Sequence, residues 1–332
     1  MKIYITMPHT PTSDSFLTRR TLELLNAMGE VEQNPYDHQL TVDEVVELAS
    51  DADVLITCWG TCKYYKQDIE RLPNLKLIAH FAGSVAPVVD QSVYETDVKV
   101  ISGNDVFAKS VAEGCLCYTL AALRRLEHYM DVMRTGGFKE TVFYNRGLFG
   151  KKLGIVGFGA IARHFLNLVR WFDLEVLIYS SHLTDEEAAK YGGRTASLEE
   201  IFSECDVISI HASNTPKTRG MITRELLARL KPDALLVNTA RGAVIDEPAM
   251  FEMLLDGKFY AALDVYAEEP PAPDAPIRQC KNALLMPHMG GPTMDMREVV
   301  ALEVSKDIAR MMRGEALQYE ITAAAAARMT GA

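Results

Sequence analysis

Residues 153–162 read LGIVGFGAIA and decide the fold, because a buried strand here runs into a Gly-x-Gly-x-x-Ala turn and then into a helix. Gly157 permits the tight turn, and Gly159 lets a pyrophosphate approach the backbone. Ala162 lets helix and strand pack closely, so that the amino terminus of the helix faces the phosphates. A second strand is expected at 175–179, at the spacing of a dinucleotide-binding unit. The segment therefore predicts a dinucleotide site; the alternative is a glycine-rich turn that binds no ligand.

Strands and helices alternate on both sides of this segment, a pattern typical of parallel sheets covered on both faces. Ahead of it, strands are predicted at 2–7, 53–57, 75–80 and 98–102, with helices at 14–28 and 42–51. Six parallel strands of a Rossmann domain are predicted at 152–156, 175–179, 206–211, 234–239, 261–265 and 283–286. Long helices are predicted at 106–133 and 293–313, and the residues from 323 onward are predicted to form a peripheral or frayed end.

The predicted fold class is therefore α/β, with two Rossmann-like or flavodoxin-like domains built on doubly wound parallel sheets. Residues 1–104 plus 290–332 are predicted to form a discontinuous substrate-binding domain, and residues 105–289 an NAD(P)-binding domain. A chain of 332 residues is long enough for two such domains with separate cores.

Composition and charge narrow the possible partners. Hydrophobic residues make up 48% of the chain and charged residues 24%, as in a soluble globular protein. The net charge of −11, with no basic block, argues against a nucleic-acid partner. No apolar run of about 20 residues is recognised, and residues 1–6 do not resemble a signal peptide, so no membrane partner and a cytoplasmic location are expected. The six cysteines are interpreted as reduced, buried thiols, with no metal site.

The end of the second Rossmann strand bears on the choice of cofactor. Residues 178–182 read IYSSH, with Ser180 at the position where an acidic residue would bond the adenosine ribose and repel a 2′-phosphate. That repulsion is absent, and Ser181 and His182 are able to donate hydrogen bonds to a phosphate. No arginine stands in this loop, so the sequence favours NADP only slightly over NAD. In the alternative interpretation the serines form a polar turn and NAD binds.

Three polar residues each follow a predicted strand downstream of the glycine turn. Arg241 lies in NTARG, Glu269 in AEEP and His288 in MPHMGG. A guanidinium can hold a carboxylate by two hydrogen bonds, and an imidazole can pass a proton near neutral pH. A glutamate beside that imidazole would stabilise its protonated form. Together with a nicotinamide, these groups are what the reduction of a 2-keto acid requires.

Residues 100–300 resemble the D-isomer-specific 2-hydroxyacid dehydrogenases, the group that includes glyoxylate/hydroxypyruvate reductases and phosphoglycerate dehydrogenases. The resemblance rests on these segments: SVAE at 110–113, the glycine turn, KPDALLVNTARG at 231–242, ALDVY at 262–266, EP at 269–270 and PH at 287–288. The first hundred residues match only in pattern. The resemblance implies an NAD(P)-dependent enzyme that interconverts a 2-keto acid and a D-2-hydroxy acid, with its active site in the cleft between two domains. It also implies a homodimer, for which the apolar helix 106–133 is the predicted contact.

The same resemblance assigns roles to the catalytic residues. Arg241 is expected to clamp the substrate carboxylate, His288 to protonate the carbonyl oxygen, and Glu269 to keep His288 protonated. Asp264 is expected to bond the nicotinamide carboxamide; its alternative is a loop aspartate. The residues predicted to contact the cofactor are Gly157, Gly159, Ala160, Ile161, Ser180, Ser181, His182, Ala240 and Asp264.

In the first domain the family places a glycine-containing loop whose backbone amides hold the substrate carboxylate. Ala82, Gly83 and Ser84 occupy that place here, followed by Val85 and an Ala-Pro pair where the family has a different continuation. A backbone role survives this change, since any residue other than proline supplies an N–H. Trp59 follows a strand on the same edge and is expected either to wall the substrate pocket or only to pack.

The sequence leaves two other functions open. One is a dinucleotide-sensing binding protein that resembles corepressors of this fold. The other is a formate- or phosphite-type dehydrogenase, which the Glu and His pair disfavours because formate oxidation needs no such acid–base pair. Phosphorylated substrates would need further cations, for which Lys63, Lys66 and Arg146 are candidates.

Overall fold

The computed structural model describes residues 1–139 and 145–330, and the chain forms two compact units. Unit 1 comprises Met1–Ala108 and the chain from Pro292 onward, and unit 2 comprises Lys109–Gly291. The sequence predicted the domain boundaries after residue 104 and after residue 289, whereas the units of the structure meet after residue 108 and after residue 291.

Unit 1 is built on a five-stranded parallel sheet. Its strands are β1 (Lys2–Ile5), β2 (Glu30–Gln33), β3 (Val54–Thr57), β4 (Leu77–His80) and β5 (Lys99–Ser102). The order β2-β1-β3-β4-β5 is the flavodoxin-like order. Thr57 pairs with His80, and His80 with Ser102, so the carboxyl ends of β3, β4 and β5 lie level along one edge. Loops that follow these strands therefore emerge side by side.

Short helices connect the strands of unit 1. They are α1 (Pro11–Phe16), α2 (Arg19–Asn26), α3 (Val42–Leu48) and α4 (Lys66–Ile69), with a 3-10 helix at Gln91–Glu95. The single helix predicted at 14–28 is two, because Leu17 ends the first and the hydroxyl of Thr18 caps the second through the N–H of Thr21. The polar strand β2 was not predicted, because it lacks an apolar pattern.

Unit 2 contains a seven-stranded parallel sheet, one strand more than predicted. Its strands are β6 (Lys152–Val156), β7 (Glu175–Tyr179), β8 (Gly193–Thr195), β9 (Val207–Ile210), β10 (Leu235–Asn238), β11 (Tyr260–Leu263) and β12 (Ala283–Leu285). The order is β12-β11-β10-β9-β6-β7-β8. The additional strand, β8, is the edge strand Gly-Arg-Thr, whose three residues carry no apolar signal. Two parallel-sheet α/β units confirm the predicted fold class.

The helices from residue 104 to residue 255 are α5 (Asn104–Arg124), α6 (Leu126–Arg134), α7 (Ala160–Val169), α8 (Asp185–Ala189), α9 (Leu198–Glu204), α10 (Arg224–Leu227) and α11 (Glu247–Leu255). The long helix predicted at 106–133 breaks at Arg125, whose φ of 50° is left-handed. Helix α5 is long and apolar enough to cross a membrane by length and composition, which corrects the expectation that no such run exists. Half of that window is buried, and Ala112 and Cys115 are fully enclosed, as in the core helix of a folded domain.

The chain returns to unit 1 through α12 (Met294–Met312) and α13 (Ala323–Ala326). Helix α12 buries Val300, Val304 and Ile308 against the sheet. For residues 323–330 the predicted peripheral or frayed end is wrong, because Ala326 is only 1% exposed and belongs to the core of this unit; residues 331 and 332 lie outside the described residues.

The cysteine prediction holds for five of six thiols, and Cys117 on α5 is exposed. Within residues 1–139 and 145–330, no group of three or more His, Cys, Asp or Glu side chains is placed to hold a metal ion.

Candidate active site

The glycine turn after β6 is shaped by contacts that exclude a side chain. Gly157 has a φ of 94°, and a Cβ there would meet the backbone nitrogen of Ala212 at 2.6 Å. Its N–H donates to the carbonyl of Tyr179 at 2.8 Å, which ties the turn to the end of β7. The turn therefore lies where the carboxyl ends of β6, β7 and β9 meet, the place where open α/β sheets bind ligands.

The amino terminus of α7 is open to a ligand. Gly159 is its N-cap and gives no side-chain hydrogen bond, so the first N–H groups of the helix, at Ala160 and Ile161, have no side-chain cap. A Cβ built on Gly159 would meet nothing within 4 Å, so the backbone is approachable here. Free N–H groups and the positive end of the helix dipole bind phosphates. These residues fit the pyrophosphate of a dinucleotide.

Ser180 directly follows β7 and is half-buried, while Ser181 and His182 are exposed. Sequence reasoning missed Arg163, which comes from α7 rather than from this loop. Its guanidinium pairs with Glu187 at 2.9 Å on α8, the helix that follows the loop. It also lies 5.0 Å from the ring centroid of Phe158. Arg163 is therefore engaged by Glu187 and Phe158.

The turn that carries Arg241 is fastened by Asn238 at the end of β10. The side chain of Asn238 accepts from the N–H of Ala240 at 3.0 Å and donates to the carbonyl of Arg241 at 3.0 Å. A Cβ on Gly242 would lie 2.0 Å from the carbonyl carbon of Tyr266, so the two loops touch through backbone alone. This contact sets the Arg241 loop against the loop that carries Glu269.

Glu269 and His288 form a direct pair. An oxygen of Glu269 lies 2.6 Å from Nδ1 of His288, and its other oxygen accepts from the N–H of Tyr266 at 2.9 Å. The carboxylate is therefore fixed by the backbone while it orients the ring. With Nδ1 engaged, Nε2 is the ring nitrogen left to exchange a proton with a ligand.

Asp264 holds the loop that carries His288. Its buried carboxylate accepts the N–H groups of Met289 at 2.7 Å and Gly290 at 2.8 Å, and its carbonyl accepts the N–H of His288 at 2.8 Å. Burial raises the pKa of Asp264 above its usual value, while the two N–H donors oppose the shift. His288 has a left-handed φ of 56°, a conformation that its surroundings must maintain. Sequence reasoning missed this role; the predicted bond to a carboxamide stays a prediction.

Arg241 is a half-buried cation that forms no ion pair within the described ranges 1–139 and 145–330. One of its terminal nitrogens donates to the carbonyl of Ala240 at 2.6 Å. Burial lowers the pKa of the Arg241 guanidinium, and the charge of Glu269 opposes the shift. No carboxylate of residues 1–139 or 145–330 lies within 4.0 Å of its nitrogens. A desolvated cation of this kind gains most from an incoming anion.

Replacing Arg241 by glutamine is expected to lower kcat/KM for a 2-keto acid by about 10²–10³-fold, because truncating one partner of a buried charge pair costs about 2–5 kcal/mol. Lysine should recover only part of this loss, since it keeps the charge but not the two-pronged geometry. Steady-state kinetics measure both, with the exposed Arg229→Gln as control. A wild-type kcat/KM in Arg241→Gln would contradict the role of Arg241 in holding the substrate carboxylate.

The loop after β4 in unit 1 presents unused N–H groups. The hydroxyl of Ser102 lies 2.9 Å from the carbonyl oxygen of Ala82 and 2.5 Å from that of Gly83. The N–H groups of Ala82 and Gly83 donate to no group of the described parts of the chain. With its carbonyls bound from behind, the loop is suited to receive a carboxylate on its N–H side.

Trp59 lies after β3, on the same sheet edge, and is 46% exposed. It packs edge-on against Phe16 and Phe107, at 5.6 and 5.7 Å between ring centroids. The guanidinium of Arg297, on the first turn of α12, lies 5.5 Å from the Trp59 ring. Sequence reasoning did not identify Arg297, since no local signal connects it to residue 59. Trp59 thus both packs and presents a face to solvent.

The three cations that the sequence offered for binding a phosphorylated substrate each form an ion pair with a carboxylate of the chain. Lys63 pairs with Asp90 at 3.4 Å, Lys66 pairs with Glu95 at 3.0 Å, and Arg146 pairs with Asp233.

Comparison with known proteins identifies the family. Residues 116–290 match the model of the D-isomer specific 2-hydroxyacid dehydrogenase NAD-binding domain. The chain is 30% identical to a hydroxypyruvate reductase of Thermotoga maritima, over 88% of this chain and 94% of that protein. It is 32% identical to a glyoxylate reductase of Thermococcus litoralis, over 82% and 84%. It is also 32% identical to a D-3-phosphoglycerate dehydrogenase of Methanocaldococcus jannaschii, over 95% of this chain but only 58% of that protein.

The fold agrees with a solved glyoxylate reductase from Paecilomyes thermophila, with a TM-score of 0.79 and 23% identity over 97% of this chain and 98% of that one. The chain belongs to the D-isomer specific 2-hydroxyacid dehydrogenase family. It is a nicotinamide-dinucleotide-dependent oxidoreductase that interconverts a 2-keto acid and a 2-hydroxy acid.

Proposed function

We propose that this enzyme reduces a small, unphosphorylated 2-keto acid of the glyoxylate or hydroxypyruvate kind to the D-2-hydroxy acid. The observation that carries the proposal is the half-buried Arg241, which has no ion pair within residues 1–139 and 145–330, in the loop set against the one that bears Glu269, the partner of His288. The ion pairs that engage Lys63, Lys66 and Arg146 support a substrate without a phosphate. The names of two relatives point to the same substrates.

In this proposal the cofactor, when bound, supplies the hydride that reaches the carbonyl carbon. Arg241 holds the substrate carboxylate through two N–H donors and orients the carbonyl. His288 gives the proton on Nε2 to the carbonyl oxygen, while Glu269 stabilises the imidazolium through Nδ1. In the reverse direction, His288 takes the proton from the hydroxyl.

The test is a set of initial rates of NADH and NADPH oxidation with glyoxylate, hydroxypyruvate, pyruvate, longer keto acids and 3-phosphohydroxypyruvate. Turnover is expected to be fastest with one of the first two. Preference for the phosphorylated acid would overturn the substrate proposal. Tight cofactor binding without turnover on any acid would favour the dinucleotide-sensing alternative.

For the cofactor we propose NADP. Ser180 places no negative charge at the end of β7, and the preceding residue, Tyr179, accepts the N–H of Gly157 in the glycine turn. Arg163 on α7 is engaged by Glu187 and is not counted as a phosphate ligand. The absence of a carboxylate at residue 180 favours a 2′-phosphate over a free ribose hydroxyl.

Ser180→Asp is expected to shift the ratio of kcat/KM for NADPH to that for NADH towards NADH by about 10–100-fold, since one desolvated like-charge contact costs about 1.4–2.7 kcal/mol. The reason is repulsion between the new carboxylate and the 2′-phosphate. The matched control is the exposed Ser181→Asp, which should have a smaller effect. An unchanged ratio in Ser180→Asp would show that residue 180 does not face the ribose.

We further propose a homodimer formed through α6. Leu126, Met130 and Met133 lie on one face of this helix and are 51%, 50% and 58% exposed. Three large apolar side chains at helical spacing on the surface are typical of a protein contact.

Sedimentation at micromolar concentration is expected to give twice the chain mass of 36.9 kDa. Met130→Glu should yield the monomer, because a charge would be buried at the contact. Met312→Glu, at a residue that is 49% exposed on α12, is the matched control and should leave the dimer intact. A wild-type monomer with full activity would refute the proposal.

A further inference from the structure

The C-terminal segment, defined as residues 319–330, is anchored in unit 1. The carbonyl of Tyr319 accepts the N–H of Ser102 at 3.1 Å, and the N–H of Ile321 donates to Val100 at 2.8 Å, both on β5. Thr322 then caps the short helix α13 through the N–H of Ala325 at 3.2 Å. The segment therefore starts on the strand that carries Ser102, the residue behind the loop at 82–84.

The middle of the segment packs into a core that it shares with this loop. Ala326 is 1% exposed and lies in one cluster with Val85, Val88 and Val89, which follow the loop directly. Met329 packs against the same cluster. The tail and the residues after the loop thus form one apolar contact.

The end of the segment reaches the loop itself. The hydroxyl of Ser84 donates to the main-chain carbonyl of Thr330 at 2.7 Å, and Thr330 is only 9% exposed. The same hydroxyl accepts the N–H of Ala86 at 3.4 Å. Because its proton is given to residue 330, this hydroxyl is not the group that would donate to a substrate.

The loop is consequently held from two sides. The hydroxyl of Ser102 donates to the carbonyl groups of Ala82 and Gly83. On the other side, the hydroxyl of Ser84 donates to the C-terminal segment at the carbonyl of residue 330. The N–H groups of Ala82 and Gly83 donate to no group in the described parts of the chain. Holding a donor set in place before binding reduces the entropy lost when the ligand arrives.

We propose that the C-terminal segment is a positioning element for the carboxylate-binding loop, acting through the bond between Ser84 and the carbonyl of residue 330. This inference rests on the proposed function, because a loop suited to receive a carboxylate matters for turnover only if the substrate is a 2-keto acid. Residues 329 and 330 are then needed for tight substrate binding although they touch no substrate atom.

The test is a double-mutant cycle in the full protein: Ser84→Ala, a chain ended after Arg328, and both changes together. Each single change is expected to raise KM for the 2-keto acid about fivefold, the effect of one lost hydrogen bond, with kcat changed less than twofold. The double variant should be no worse than the shortened chain, because Ser84→Ala then removes a bond that the shortening has already removed. Ser92→Ala, which removes another hydroxyl of unit 1, is the control and should leave KM unchanged.

Amide hydrogen exchange of residues 81–89 gives a second readout that does not depend on turnover. Exchange should be faster in each single variant and no faster again in the double variant. A shortened chain with wild-type KM and exchange, or additive effects, would overturn the inference. If no keto acid is turned over at all, the proposed function fails while the exchange cycle still decides the role of the tail. Should the shortened chain not fold, Ser84→Ala with restoration by Ser84→Thr gives the answer.

Discussion

Replacing His288 by asparagine is expected to lower kcat by about 10²–10⁴-fold, the usual contribution of a positioned general acid. The ring is fixed through Nδ1 by Glu269 at 2.6 Å, so the proton to be transferred belongs to Nε2, which asparagine does not have. Binding of the dinucleotide should be nearly unchanged, because the glycine turn and α7 do not involve residue 288. Stopped-flow single turnovers and fluorescence titration of the cofactor measure the two quantities separately.

The adjacent glutamates of this loop provide a matched pair for the same prediction. Glu269→Gln should lower kcat, because the carboxylate that orients the ring of His288 through Nδ1 is replaced by a neutral amide. Glu268→Gln removes the same charge one residue earlier, where the side chain is exposed, and should leave kcat within twofold of wild type. Equal effects of the two changes, or a wild-type rate in His288→Asn, would remove the acid–base role from this pair.

The parts of the fold that the sequence predicted are those with a strong local signal. The glycine turn at 157–159 has a steric cause, since a Cβ at Gly157 would strike the backbone of Ala212. The buried strands are apolar runs, which identify a parallel sheet covered on both faces. Edge strands β2 and β8 were missed because their residues are mostly polar and partly exposed, a sequence pattern that a loop shares. The break at Arg125 was missed because its cause is a single left-handed residue.

In the candidate site too, the residues with a local sequence signal were predicted and the groups that hold them in place were not. Arg241, Glu269 and His288 each follow a strand and carry chemistry in the side chain, so spacing and residue type were enough to select them. The groups that hold them act through the backbone or over long sequence distances. The carboxylate of Asp264 accepts hydrogen bonds from the N–H groups of Met289 and Gly290, which lie 25 and 26 residues later in the chain. Such contacts leave no pattern in one sequence, because any residue supplies an N–H and tertiary packing alone sets the pairing.

Two buried histidines make both units sensitive to acid. Burial lowers the pKa of His80 to about 4 and that of His211 to about 3. His80 shares a hydrogen bond of 2.9 Å with the hydroxyl of Thr57, and His211 one of 2.9 Å with that of Ser209. Both rings are neutral in the folded protein at pH 5, whereas an unfolded histidine, with a pKa of about 6.5, is charged there.

The unfolded chain therefore binds more protons than the folded one below pH 6.5, and the free energy of unfolding falls as the pH falls. This contribution is fully present above pH 6.5 and is lost progressively down to the folded pKa of each ring. At pH 5 each histidine lowers the free energy of unfolding by about 2 kcal/mol, because each pH unit below the unfolded pKa of about 6.5 costs about 1.4 kcal/mol. Since His80 lies in unit 1 and His211 in unit 2, each unit is expected to lose stability separately.

The two tryptophans of the chain report on the two units, Trp59 on unit 1 and Trp171 on unit 2. Urea unfolding at pH 7 and pH 5 is to be followed by fluorescence in Trp171→Phe for unit 1 and in Trp59→Phe for unit 2. His80→Asn keeps a hydrogen-bonding atom at Nδ1, and His211→Gln keeps one at Nε2, so each should flatten the pH dependence of its own unit only. The exposed His38→Asn is the control for unit 1. A pH dependence that survives in His80→Asn and His211→Gln would place the acid sensitivity in other groups, because these variants keep the hydrogen-bonding atom and lose the titrating ring.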